Sequence, residues 1–352
     1  YEKIYRESIR RRDYASLRKY YEEHREQLER GAVPLWPECY DRRTEVSAIQ
    51  HAMHLYLQDR GAFLAEYQNE PASDQFANST LSITPELVDE SFIDGFEISP
   101  SNQVGIFVDV QEQILFYAIC RKVDEKFYWA CGTWPQQGGV FFSASRPALP
   151  LTAFYSCDGP QALGRGLAQL LEQLRAAFPD SVILVDAGYR ADVIVPTVAN
   201  FPDVFPSWGR YVGARSRTSV TDRIRPGDVS GDVWRLTRDP DRSTSAVLFD
   251  ANAAKTAVAR LFGEGRARIA RTPEYRVVAD HLSAEVGTET QSVWRKCVEW
   301  TLLPARENHF FDAVVGAYVA FDLAKTIHSE ESDGSENWIV RGLLRYKGIV
   351  GG

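Results

Sequence analysis

Hydrophobic and polar positions follow one another along this chain in blocks whose period changes several times. The most ordered block is Val104-Gly105-Ile106-Phe107-Val108-Asp109-Val110-Gln111, an apolar run rich in β-branched side chains and free of proline that ends on a carboxylate. That composition suits a strand buried on both faces, although an apolar run this short also fits a helix. Gln111-Glu112-Gln113 reads as a tight turn, and Ile114–Val123 and Phe127–Thr133 as two further strands, giving three consecutive antiparallel strands. Leu163, Leu167, Leu170, Leu171 and Leu174 recur at helical spacing and predict an amphipathic helix over Pro160–Phe178. A second apolar run, Val182-Ile183-Leu184-Val185-Asp186, again ends on aspartate. Beyond it the pattern predicts a short helix near Asp192–Asn200, strands at Val233–Thr237 and Ala246–Phe249, and helices at Ala253–Phe262 and Tyr275–Val286. A strand at Trp294–Leu303 and a long helix over Glu307–Ile327 complete the pattern.

The N-terminal pattern is weaker. Tyr1–Arg30 is dense in Arg, Glu and Tyr, lacks Gly and Pro, and predicts a solvated or bridging helix pair. Arg10-Arg11-Arg12 reads as a solvated face rather than a DNA contact. Ser47–Tyr67 predicts another helix, with Ile49, Ala52, Met53, Tyr56 and Leu57 on one side. The resulting division is a helical segment over residues 1–75, a polar irregular linker over 76–103, and an α/β domain over 104–328. An acidic flexible linker and C-terminal tail occupy 329–352. Within that tail Trp338–Val350 is apolar and basic, which suits a docking peptide.

Composition narrows the class. Over 352 residues, 44% hydrophobic and 25% charged are ordinary globular values, enough for one large or two medium domains. A net charge of −8 excludes a wholly basic nucleic-acid coat but not a local basic groove or an acidic cluster awaiting cations. The five cysteines are scattered without a CxxC, which argues against zinc and a disulfide framework and for a reducing, cytoplasmic setting. No apolar run reaches membrane-spanning length, so no membrane partner is expected. The chain opens on Tyr1 and its only methionine is Met53, which leads to the expectation of a piece of a longer protein.

Three acids change the picture. A charge at the end of a buried strand is costly unless it is paired or binds a metal, so Asp109 asks for a partner. A right-handed crossover sets the Asp109 and Asp186 strands side by side, roughly 4.8 Å apart. Carboxylates that close repel, and one takes up a proton unless a cation sits between them. Asp312 lies on or beside the apolar stripe Phe311, Val314, Val315, Tyr318 and Val319, with Asn308 one turn before it on the same face. His309 reads as a helix-start surface histidine rather than a proton-transfer group. Asp250 is either a fourth acid near the site or an Asx turn closing its strand. Glu112 reads as a turn residue. The segment Gly209–Gly227 carries Arg210, Arg215, Arg217, Arg223 and Arg225 among Ser, Thr and Gly, a composition suited to gripping phosphates without reading bases. Lys255 either neutralises phosphate or serves its own helix.

These stretches together resemble the nuclease domain of phage terminase large subunits, in the lambda-type branch. The matching pieces are Asp109-Val110-Gln111, Gly132-Thr133-Trp134-Pro135, Val185-Asp186-Ala187-Gly188-Tyr189-Arg190, and Phe249-Asp250-Ala251-Asn252 before Lys255. His281-Leu282 with Ala284-Glu285, and Asn308-His309 with Asp312, continue the series in the family's order. Phe63–Pro71 is similar to the segment joining that family's motor to its nuclease. The resemblance implies an RNase H-like mixed sheet flanked by helices, and a metal-dependent endonuclease that cuts double-stranded viral DNA concatemers during packaging. It also implies that Asp109, Asp186 and Asp312 hold two Mg²⁺ or Mn²⁺ ions. Arg190 joins Arg210, Arg215, Arg217 and Lys255 as an expected DNA contact. Partners implied are double-stranded DNA, the terminase small subunit, the portal or prohead, and the ATPase domain of the full-length protein. No GxxxxGK[ST] occurs, so that motor is expected to be missing from this chain. Three rival classes share some features: another RNase H-like nuclease of the resolvase or transposase kind, an actin-like sugar kinase or ATPase, whose Gly-rich phosphate turn Val110-Gln111-Glu112-Gln113 does not offer, and a non-catalytic DNA- or portal-docking module.

Overall fold

The computed structural model describes residues 1–11, 13–58, 63, 80–101, 103–222, 224, 228–238 and 245–332. The chain forms two compact units. The first comprises Tyr1–Thr80 with Ala214–Arg217 and Glu289–Cys297; the second comprises Leu81–Gly213, Thr218–Thr288 and Val298–Gly352. Arg12, the side chains of Arg10 and Arg11, most of the Phe63–Pro71 segment, Arg223, Arg225 and the tail beyond Ser332 lie outside the described residues.

In the first unit α1 (Glu2–Arg11), α2 (Tyr14–Glu23), α3 (Arg25–Leu28) and α4 (Ala48–Gln58) are short. Asp13 caps α2 by accepting from Ser16 N at 3.1 Å. The expected solvated helix pair has a core after all: Tyr5, Leu17 and Tyr21 are buried. Tyrosine hides this from a hydropathy count, because its ring packs while its hydroxyl keeps a polar partner. Tyr21 and Tyr5 hydroxyls meet Ser47 and Gln58 respectively.

The second unit is built on a ten-stranded sheet ordered β2-β11-β5-β4-β3-β6-β7-β10-β9-β8. Its strands are β2 (Phe92–Ile93), β3 (Val104–Val110), β4 (Leu115–Val123), β5 (Lys126–Trp134), β6 (Val182–Asp186), β7 (Val204–Arg210), β8 (Val229–Ser230), β9 (Trp234–Arg238), β10 (Ser245–Asp250) and β11 (Ala267–Ala270). The three strands from β3 to β5 are antiparallel, while β6 and β7 run parallel to β3 on its other side. In chain order the middle of the sheet therefore reads third, second, first, fourth, fifth, the arrangement of an RNase H-like mixed sheet. All of β3 is buried, as its unbroken apolar run requires of a central strand. A smaller sheet is ordered β1-β12-β13, from β1 (Thr80–Ser82), β12 (Glu285–Gln291) and β13 (Lys296–Leu302).

Helices cover both faces. One carries α6 (Leu151–Tyr155), α7 (Gly159–Ala177) and α8 (Ala191–Val198), whose aliphatic side chains pack with Ile106, Val108 and Ile183. The other carries α5 (Pro85–Ser91), α9 (Ala251–Gly263), α10 (Tyr275–Leu282) and α11 (His309–Ser332), in a more aromatic core around Phe107, Phe116 and Trp129. Glycine sets how closely α11 approaches β3. A Cβ on Gly105 would stand 1.9 Å from Phe321 N, and one on Gly316 2.1 Å from the Phe107 ring.

Several expectations need correction. The stretch read as an irregular linker contains α5, started by Thr84 with proline at its first turn, and buries Val88 and Phe92. The helix expected over Tyr275–Val286 stops at Leu282, and Glu285 begins β12. The arginine-bearing loop starts later than Gly209, because β7 runs to Arg210. Pro206 and Gly209 hid that strand, since both residues normally speak against a strand interior. The four-residue β11 was too short to show a period.

Candidate acidic site

Asp109 and Asp186 reach the same edge of the sheet because β3 and β6 are parallel neighbours. Val108 pairs with Val185, so each acid follows directly on a paired position. Asp312 comes from the first turn of α11, whose Asp312 N bonds to Asn308 O at 2.9 Å. All three side chains line one cavity of 210 Å³, together with Tyr211 and Lys255. The candidate acids, distant in sequence, are therefore brought together.

Their surroundings differ. Asp109 is 5% exposed and its Oδ2 is approached by Gln111 Nε2 at 3.0 Å and His309 Nδ1 at 3.1 Å. Asp186 Oδ1 accepts from Gly188 N at 3.1 Å. Burial, then the charge of Asp109, and more weakly that of Asp312, push the Asp186 carboxyl up to about 7 against the Gly188 bond. Asp312 Oδ1 lies 2.8 Å from Lys255 Nζ. Its side chain keeps 29% of its surface open. Burial still raises its pKa, helped by Asp109 and Glu285 and opposed by Lys255.

Lys255 is the counterpart of these acids. It is 1% exposed on α9, with Nζ 2.5 Å from Glu285 Oε1 and 3.2 Å from the Tyr211 hydroxyl. Burial would lower its pKa, but the charges of Asp312 and Glu285 outweigh it and hold the ammonium protonated. Asn308 Nδ2 donates to the same Glu285 oxygen. Glu285 Oε2 is buried with no hydrogen-bond partner among the described residues. The lysine expected to grip DNA phosphate is instead the centre of a buried ionic network on the cavity wall.

His309 also departs from expectation. It is largely buried, stacks on Phe116 with centroids 4.9 Å apart, and faces Asp109. Burial lowers its pKa, yet the bond to Asp109 and the charges of Asp109, Glu307 and Asp312 leave it raised. Neighbouring His281 is driven down to about 3 by burial, His309 and Arg306, so it is neutral. Asp250 is the N-cap of α9, accepting from Ala253 N at 3.2 Å, which is the turn-closing alternative of the two expected. Arg190 pairs with Asp192 at 2.7 Å beside the Asp186 strand end. Arg210 is exposed at the end of β7, one residue after cavity-lining Gly209. Arg215 and Arg217 belong to the first unit, where the Arg217 guanidinium lies 5.2 Å from the Trp294 ring centre.

Sequence reasoning did not single out Tyr211, or Glu285 outside its motif. A signal for Lys255 was present: it interrupts Ala251, Ala254, Val258 and Ala259, the apolar face of α9. A lysine there needs buried acids, and the next acids in the fold are Glu285 and Asp312.

No family model and no curated protein matches the sequence. Among solved structures the chain is similar to the large terminase nuclease from thermophilic phage G20c, at 8% identity and a TM-score of 0.36, over 68% of this chain and 98% of that one. No helix among the described residues is long and apolar enough to cross a membrane.

Proposed function

We propose that this chain is a divalent-cation-dependent endonuclease that hydrolyses phosphodiester bonds of double-stranded DNA. The observation that carries it is the convergence of Asp109, Asp186 and Asp312 on one cavity, with Asp186 lifted to about 7 by burial and then by the charges of its neighbours. Carboxylates gathered at that cost are the donor set of a hard cation such as Mg²⁺ or Mn²⁺. Among the described residues no three His, Cys, Asp or Glu side chains already form a group that could hold a metal ion. The fit therefore rests on donor chemistry, with Asp109 and Asp186 as the groups that would hold a cation and Asp312 lining the same cavity. A bound cation supplies an activated water and charge stabilisation at the scissile phosphate. The chain's own part is positional. His309 and Gln111 fix the Asp109 carboxylate, Gly188 N fixes Asp186, and Lys255 fixes Asp312. Arg210 and Arg190 flank the cavity-lining strand ends and suit phosphate contacts. Cutting of packaging concatemers, with a small subunit, portal and ATPase domain as partners, follows from the sequence resemblance and belongs to the same proposal.

Supercoiled plasmid incubated with the chain and Mn²⁺ or Mg²⁺ should be nicked and linearised, and EDTA should stop it. Intact plasmid at high protein concentration with either ion would leave the docking-module reading in its place.

A further inference from the structure

The acidic cluster contains its own cation. Lys255 Nζ stands within ion-pair distance of Asp312 and Glu285 together, and the side chain is 1% exposed. Glu285, 3% exposed, has its Oε1 taken by Lys255 and Asn308. Asp312 is thus paired on the helix side, whereas Asp109 and Asp186 meet no Lys or Arg side chain in any described ion pair. From these contacts we infer that Lys255 takes the place of one of the two divalent ions the sequence resemblance implies, so that the site binds a single divalent ion, at the Asp109–Asp186 side.

The physical reason is charge and desolvation. A divalent ion beside Asp312 would have to displace the ammonium from two carboxylates, in a place where the ammonium cannot reach water. Leaving a buried charge unpaired costs several times what a surface pair yields. The protein holds this ammonium with a hydrogen-bonded shell: Tyr211 hydroxyl on one side, and Glu285, itself held by Asn308, on the other. Glu285 is otherwise hard to explain. It is buried, has an oxygen without a partner among the described residues, and does not line the cavity. As the second anchor of a built-in cation it has a role.

Granted the cation-dependent reading above, the test is stoichiometry rather than turnover. Mn²⁺ is titrated into the full chain and counted by electron paramagnetic resonance and calorimetry. One ion per chain is expected at saturation; two ions would overturn the inference while leaving the nuclease reading intact. No bound ion at all would overturn both, and no loss of activity in a variant could mimic that result. Lys255→Met, in which a non-ionic side chain of similar length replaces the ammonium, should gain a second Mn²⁺ site. A folded Lys255→Met chain that still binds one ion would show that the lysine is not what excludes the second. Where Lys255→Met fails to fold without metal, recovery of its circular dichroism signal by Mn²⁺, at two ions per chain, is the expected result. Failure to recover leaves the parent's stoichiometry to decide.

Discussion

The strand side and the helix side of the acidic cavity solve the same electrostatic problem differently. On the strand side Asp109 and Asp186 are set next to each other by backbone pairing, and among the described residues their polar partners are Gln111, Gly188 N and His309. Their repulsion is left standing, and together with burial, the larger cause, it pushes the Asp186 carboxyl up to about 7. On the helix side Asp312 and Glu285 converge on Lys255, and the charge is neutralised inside the fold. Under the proposed function one side would take an external cation, while the other is neutralised by the chain's own lysine. Acids of the same type can thus be left unneutralised on one side of a cavity and paired within the fold on the other.

Four outcomes would sharpen or break that contrast, the largest first. Asp186→Asn keeps the side chain's size and removes a ligand charge, so Mn²⁺-dependent plasmid nicking should fall at least ~100-fold while the chain stays folded. Cleavage at the parent's rate would take Asp186 out of the chemistry. Lys255→Met strands two carboxylates on the helix side and should cost about 3–5 kcal/mol in urea unfolding without metal. A loss below ~1 kcal/mol would mean that the buried network is not structural.

The third outcome is a pH dependence in EDTA. Asp186 has a folded pKa of about 7, above the ordinary 3.8, so the folded state holds this proton more tightly than the unfolded state. Its contribution is fully favourable below the ordinary value and is lost as pH rises through the folded value; the loss therefore accumulates between pH 4 and 7. Parent stability should drop by a few kcal/mol (~1.4 per pH unit at most) over that window, and Asp186→Asn should flatten the curve. At pH 8 the variant should be the more stable of the two in EDTA, and Mn²⁺ should stabilise only the parent. An unchanged slope would mean that solvent screens the strand side as well. The smallest effect is expected in the first unit: Arg215→Ala with Arg217→Ala should weaken DNA binding on every sequence and lower the salt slope by ~1 phosphate contact each. An unaltered slope would assign the pair to the first unit's packing alone.

Much of this site was legible before any coordinates. Apolar runs ending in aspartate, and a helix with an acid on its apolar stripe, mark Asp109, Asp186 and Asp312 by the same rule: an ion at a buried position requires company. Lys255 falls under the same rule, since it sits on an apolar helix face just as plainly. His309 was read as a surface group because it opens a helix, but the helix begins over the sheet edge rather than in solvent. The missed β7 and β12 have a common cause, since proline and glycine in one, and polar side chains in the other, erase the alternation from which strands are recognised.

Sequence alone determined which segments could be buried, because apolar periodicity is local, and it placed each candidate acid at the end of such a segment. It also determined the strand polarity around β3, since a tight turn forces antiparallel pairing and an intervening helix permits parallel return. Only the tertiary structure decided which charges meet. Lys255, Glu285 and Asp312 are joined by distances of 2.5 and 2.8 Å across 57 residues of chain. Such pairing depends on helix α11 closing onto β3 through Gly105 and Gly316. Close approach of that kind is a property of packed surfaces, and no local pattern encodes the partner an ion will find.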